Sequence, residues 1–310
     1  MNRYNLIAIL GPTASGKTLL AAHVAHRLQS GVISADSRQI YRGMDIGTGK
    51  DLADYVVDGH LVPYYLIDIC DAGYQYNVFE YQRDFHRIFQ MFLQQDKVPV
   101  LCGGTGLYLE SILKGYQLPE VPINPELRAQ LREKSLDELA CILSTYKKLH
   151  NKTDIDTKNR AIRAIEIAEY QRTYGQQTTQ FPIPASLNIG IHFERTKLKQ
   201  RITQRLHQRL QNGLIEEVDR LLKNGLTPDD LIYYGLEYKY VTLYLTRKLE
   251  YDEMVEKLNI AIHQFSKRQM TWFRRMERQG LRIYWIDGEY SLEQKLEKVF
   301  QLLHNCSAEQ

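Results

Sequence analysis

The sequence predicts an α/β protein: a P-loop NTPase-like, doubly wound parallel sheet core with an inserted all-helical subdomain. Three observations carry this. Short apolar runs alternate with helix-period segments, the pattern that parallel crossovers require. The first run leads through G-x-x-x-x-G-K-[ST] into a helix. A proline-punctuated segment then opens a stretch with no strand signal.

Residues 5–10 form the first apolar run, followed by a glycine-containing turn and a helical pattern over 17–29 with Leu20, Ala21, Val24 and Leu28 on one face. Residues 32–35 form a second short run that ends at Asp36. Residues 64–69 make a third, rich in β-formers. Phe85, Ile88, Phe89 and Phe92 then recur at i, i+3, i+4 and i+7, the spacing that covers one helix face. Residues 99–102 predict a fourth strand, running into Gly103-Gly104-Thr105-Gly106 and a helix over 107–114.

Pro119, Pro122 and Pro125 mark the change of texture. Leu127, Leu131, Leu136, Leu139 and Leu143 suggest one or two short helices, and Ala161, Ile162, Ile165 and Ala168 the buried face of another, with Asp156 as its N-cap. The insertion closes in the polar, proline-containing residues 175–184. Strands are expected again at 187–193 and 281–286, with helices at 196–211, 215–223 and 251–276. The domain division is therefore 1–118 with 186–310 as the core and 119–185 as the insertion.

The 310 residues suffice for about two domains, and 44% hydrophobic with 25% charged is ordinary for a soluble chain. No window reaches the roughly 18 apolar residues of a membrane span, and no leader is apparent, so a cytoplasmic protein without a membrane partner is expected. Cys70, Cys102, Cys141 and Cys306 lack metal or disulfide spacing and read as packing thiols. The net charge of +3 is unevenly shared. Residues 1–120 hold 10 Lys/Arg against 12 Asp/Glu, and residues 121–310 hold 30 against 25. A polyanion contacted by the later part is the implied partner class.

Gly11-Pro12-Thr13-Ala14-Ser15-Gly16-Lys17-Thr18 lies between a strand and a helix, the context in which loop amides, a lysine and a hydroxyl cradle a diphosphate or longer group with Mg²⁺. A hydrolytic NTPase adds a carboxylate after a buried strand to hold the metal. The run 99–102 ends instead in Gly-Gly-Thr, which favours group transfer. Asp36 and Asp68 each follow a strand; Asp36 is open to reading as a base, a metal ligand or a turn cap, and Asp68 reads better as a cap.

Arg201 and Arg205 share a helix face in a run that also holds Arg195, Lys197, Lys199 and Arg209, and arginine forks suit phosphate oxygens. A second basic helix carries Lys267, Arg268, Arg274, Arg275 and Arg278, with 265, 269, 272 and 276 on one side. Its aromatics are expected to be free to stack on unpaired bases, although an amphipathic helix with a solvated basic face would look the same. The same ambiguity holds for Arg160 and Arg163.

The blocks at residues 11–18, 34–41, 43–48, 66–68, 103–108, 163–166 and 267–274, in this order and spacing, resemble the motif set of the bacterial tRNA dimethylallyltransferases, nearly end to end. The resemblance implies transfer of a dimethylallyl group from dimethylallyl diphosphate to N6 of the adenosine just 3′ of a tRNA anticodon (adenosine-37), leaving diphosphate and hydrolysing no ATP. By the same resemblance, Gly11, Thr13, Ala14, Ser15, Gly16, Lys17, Thr18, Arg201 and Arg205 hold the diphosphate, with Thr18 on Mg²⁺. Asp36 is the base, Thr105 approaches the reacting centre with Lys17, and Ser37, Arg38 and Gln39 meet the flipped adenine. Arg160 and Arg163 belong to an anticodon-stem clamp, while Lys267, Arg268, Gln269, Trp272 and Arg275 contact tRNA. A monomer is expected.

Three departures from the family pattern stand out: glycine and aspartate around Lys50 where Ala and Pro are common, Tyr64-Tyr65 in place of paired histidines, and a Gly235–Lys239 segment longer than Gly-Tyr-Lys. Competing readings are a nucleotide or nucleoside kinase, a prenyltransferase acting on free AMP, and a noncatalytic tRNA-binding module. A labelled-ATP assay separates the first. The helical insertion has no purpose on a mononucleotide, and intact Lys17, Thr18 and Asp36 speak against the last.

Overall fold

The computed structural model describes residues 4–147, 155–175 and 181–305. Cys306 and residues 176–180 of the insertion's expected far edge lie outside them. The chain divides into two compact units, Met1–Lys114 with Ile183–Gln310, and Gly115–Pro182.

In the larger unit, β1 (Leu6–Leu10), α1 (Lys17–Arg27) and β2 (Val32–Ala35) are followed by a 3-10 turn at Leu52–Tyr55, a small antiparallel hairpin of β3 (Val56–Val57) and β4 (His60–Leu61), and β5 (Tyr64–Tyr65). Then come α2 (Val78–Gln94), β6 (Val100–Gly103) and α3 (Gly106–Leu113). The smaller unit holds α4 (Pro125–Arg132), α5 (Leu136–Tyr146) and α6 (Lys158–Tyr174). The larger resumes with β7 (Ser186–His192), α7 (Arg195–Gln211), α8 (Leu214–Lys223), α9 (Pro228–Tyr233), α10 (Leu236–Leu245), α11 (Tyr251–Arg278), β8 (Tyr284–Asp287) and α12 (Leu292–Asn305).

Six strands pair in the order β5-β2-β6-β1-β7-β8, every pairing parallel. The expected doubly wound α/β core is present. All five residues of β1 are buried, as a strand covered on both faces must be. Its side chains alternate between layers: Leu6, Ala8 and Leu10 pack with α2, α3 and α11, while Ile7 and Ile9 pack with α1 and α12. Phe85, Ile88, Phe89 and Phe92 all enter the first layer, and a capping box of Asn77 and Glu80 starts their helix.

Some expectations are corrected. The third apolar run makes a strand only at Tyr64–Tyr65. Leu66 and Asp68 adopt φ of 60° and 54°, which turns the chain out of the sheet. On α11 the buried stripe is Ile262, Ser266, Gln269, Phe273 and Met276, so Phe265 lies outside, 39% exposed. Thr157, not Asp156, caps α6 by accepting from the Arg160 amide. The hairpin, α9 and α10 have no signal in the sequence reading.

The smaller unit builds its own core from Leu131, Leu139, Leu143, Ala161, Ile162 and Ile165. Buried Glu166 organises it, accepting from the Asn124 amide at 2.7 Å and from Arg128 Nε at 3.0 Å, and pairing with Arg163. Among the described residues no helix is long and apolar enough to cross a membrane.

Candidate active site

Parallel strands bring their C-terminal ends to one edge, and four of them build the site. The turn after β1 is the Gly11–Thr18 loop. After β2 comes Asp36, after β6 the Gly104-Thr105 turn, and after β7 the helix α7 that carries Arg201 and Arg205.

Gly16 caps α1 with φ 75°, and Ala14 also takes a left-handed φ of 61°. This curls the loop around the helix N-terminus, where unsatisfied amides favour an anion. Ser15 is 1% exposed and its hydroxyl has no hydrogen-bond partner. Lys17 Nζ donates to the Pro12 carbonyl at 3.3 Å. Burial lowers the Lys17 pKa, while Asp36 and Asp51 oppose the drop and Arg205 adds to it. Thr18 bonds the buried Cys102 thiol, which burial pushes up to about 12, so that cysteine is an inert packing group.

Arg201 Nε donates to the Ala14 carbonyl at 2.9 Å, and its guanidinium lies 4.7 Å from the Phe193 ring centroid. Arg205 approaches the Thr13 hydroxyl at 3.5 Å. The structure therefore brings both arginines to the loop. Arg209, one turn further, pairs with Glu237 at 3.1 Å, and burial together with Arg205 lowers its pKa.

Asp36 Oδ1 accepts from the Arg38 amide at 2.9 Å. Thr105 Oγ1 accepts from the Ser37 amide at 3.0 Å, and the Thr105 amide donates to the Ala35 carbonyl at 3.2 Å. The turns after β2 and β6 are thereby tied together. Close approach is possible because a Cβ on Gly103 would lie 2.2 Å from the Ala35 carbonyl oxygen. The Arg38 guanidinium sits 5.3 Å from the Tyr233 ring centroid. Gln39 is 8% exposed, accepting from Ser34 Oγ at 3.1 Å and donating to the Gly49 carbonyl at 3.0 Å. Asp68, read as a cap, instead pairs with buried Lys50, which also holds Asp45.

Several residues expected to meet tRNA are engaged inside the fold. Gln269 is buried, accepting from the Thr13 amide at 2.9 Å and donating to the Gly104 carbonyl at 2.9 Å. Trp272 is not a free stacking platform: its indole N–H donates to Glu110 at 2.8 Å, and a Cβ on Gly106 would lie 2.5 Å from its ring. Arg275 pairs with the same buried Glu110 and lies 4.3 Å from the Trp272 centroid. Arg163 holds Glu166 and the Val121 carbonyl, and Arg160 pairs with Asp156. Lys267 and Arg268 lie on the exposed face of α11.

Sequence reasoning missed Glu217, whose carboxylate accepts from the amides of Asp45 and Ile46 at 2.8 Å, of Gly47 at 3.0 Å, and from the Tyr238 hydroxyl at 2.8 Å. It pins the loop that leads to Asp51. A glutamate in an amphipathic helix gives no local sign of such a role.

Two family models match: IPP transferase over residues 39–276 and isopentenyl transferase over 4–69. The chain is 60% identical to tRNA dimethylallyltransferase 2 of Bacteroides fragilis, covering 98% of this chain and 99% of that one. It is 57% identical to tRNA dimethylallyltransferase 1 of Parabacteroides distasonis at the same coverage. Among solved structures, the full-length tRNA isopentenylpyrophosphate transferase of Bacillus halodurans superimposes with a TM-score of 0.70 at 29% identity over 98% of both chains.

Proposed function

The chain belongs to the IPP transferase family and is a tRNA-modifying prenyltransferase, and from that premise we propose that it moves the dimethylallyl group of dimethylallyl diphosphate to N6 of adenosine-37 in tRNA. The observation that supports the residue roles is that the Gly11–Thr18 loop follows β1 and Asp36 follows β2, at the C-terminal edge of one parallel sheet.

The Ala14–Thr18 amides, the Ser15 hydroxyl, Lys17, Arg201 and Arg205 hold the diphosphate. As the allylic carbon–oxygen bond breaks, negative charge develops on the leaving oxygens beside these donors, which are already oriented. The new bond forms between that carbon and the adenine N6. Its proton goes to the Asp36 carboxylate, which the Arg38 amide orients. Thr105, fixed by the Ser37 amide, lines the path between base and donor. The adenine must leave the anticodon-loop stack to arrive there, and Ser37, Arg38 and Gln39 form the wall that it meets.

No group of three metal-ligating side chains occurs among the described residues. Mg²⁺ is commonly bound chiefly by substrate phosphates, and Thr18 would be its protein ligand here. When bound, Mg²⁺ neutralises charge on the departing diphosphate. The basic face of α11 and the helices of the smaller unit are the tRNA-binding surfaces, and the enzyme works as a cytoplasmic monomer.

Mass spectrometry of tRNA nucleosides after incubation with protein, Mg²⁺ and dimethylallyl diphosphate tests this reading. Adenosine gains one five-carbon unit, and Asp36→Ala lowers turnover by about 10²–10⁴-fold while donor binding persists. Phosphoryl transfer from ATP to a small hydroxyl, without prenylation, would overturn it.

A further inference from the structure

Arg205 is one of the cations a donor diphosphate needs, and an anion of the chain already holds it. Its guanidinium reaches the Thr13 hydroxyl and the Gly49 carbonyl at 3.5 Å each, and forms a tight ion pair with Asp51. Both partners of that pair are partly exposed, at 27% and 46%.

Asp51 is not held there by local preference. It stands at the N-cap of the Leu52–Tyr55 turn, where an aspartate commonly accepts a backbone amide, yet its side chain makes no capping bond. Its φ of 44° lies in the left-handed region, which costs a residue with a Cβ. The chain before it is anchored by Glu217 and by the Lys50 ion pairs, so the carboxylate is presented to Arg205 by the loop. Space around Gly49 is taken by two guanidinium groups: a Cβ there would lie 1.6 Å from Arg209 and 2.5 Å from Arg205. Asp54 is the other acid nearby, and burial together with the Asp51 charge raises its pKa. Asp51 is thus the anion paired with Arg205, while Glu237 pairs with its neighbour Arg209.

We propose that Asp51 is an internal counter-anion that holds Arg205 at the phosphate loop when the loop is empty and gives it up to the incoming diphosphate. This rests on the reading of the loop as a diphosphate site. Two anions on one guanidinium repel, and the diphosphate carries the larger charge, so it wins Arg205 and the Asp51 carboxylate turns to solvent. Asp51 is a positioning residue that sets donor affinity.

The test is calorimetric titration with inorganic pyrophosphate and Mg²⁺ at low salt, on the wild type, Asp51→Asn, Arg205→Gln and the double variant. Asparagine tolerates the left-handed φ, so the backbone is preserved. Should Asp51→Asn not fold, Asp51→Gly removes the same charge and also suits that φ. Pyrophosphate binds Asp51→Asn about two- to five-fold tighter than wild type, the range expected for releasing a partly exposed ion pair. In the Arg205→Gln background the gain disappears. Equal or weaker binding by Asp51→Asn, or a gain that survives Arg205→Gln, overturns the proposal. A wild type that binds ATP but no pyrophosphate overturns the diphosphate reading itself, and this proposal with it.

Discussion

Gln269 joins the phosphate loop to the turn after β6: it accepts the Thr13 amide at 2.9 Å and passes its own amide hydrogen to the Gly104 carbonyl at the same distance. Both bonds are buried or nearly so, and each spans a long stretch of sequence. A residue on a basic helix is therefore a brace between the Gly11–Thr18 loop and the turn after β6.

Gln269→Leu keeps the volume and removes both bonds. A lost buried hydrogen bond costs about 1–2 kcal/mol, so the KM for the donor rises roughly 5- to 30-fold. Gln269→Glu retains the acceptor for Thr13 but sets a carboxylate against the Gly104 carbonyl, and fares no better. Steady-state kinetics with tRNA held saturating reads both; an unchanged donor KM would contradict the bracing role.

Lys267 and Arg268 lie on the exposed side of α11. If they meet phosphates of tRNA, replacing both with alanine weakens tRNA binding and lowers the slope of log affinity against log salt by about 1–2, to a similar degree for different tRNAs. Filter binding over a salt series measures it. The donor KM stays near wild type, because neither side chain reaches the phosphate loop.

His86 is 4% exposed beside Phe85 and Phe89, and burial pushes its pKa down to about 4 from 6.5. Above pH 6.5 both folded and unfolded chains carry it neutral, and it adds no pH dependence. As the pH falls from 6.5 towards 4, only the unfolded chain takes up the proton, so the native state loses up to about 3 kcal/mol. His86→Phe abolishes that share of acid destabilisation. Urea unfolding at pH 7 and pH 4.5, compared between wild type and variant, shows whether the loss shrinks.

Much of the fold was legible because its signals are local. Short apolar runs and 3.6-residue patterns marked most strands and helices, and the Gly11–Thr18 spacing marked the loop with its following helix. Asp36 was a recognisable candidate because a carboxylate just after a parallel strand stands at the ligand edge. Tyr64–Tyr65 was overextended, since the left-handed turns at Leu66 and Asp68 occupy residues as apolar or polar as a strand would have.

What the sequence by itself determined is most of the elements and the Gly11–Thr18 loop motif, each encoded within a few residues of one another. Tertiary structure alone decided which polar side chains remain available to substrate. Glu217 pins amides some 170 residues away, and Glu110 takes Trp272 and Arg275 from α11. Gln269 turns inward and Asp51 finds Arg205. A buried charge or amide must be satisfied by whatever partner the folded chain brings near, and periodicity carries no record of that partner.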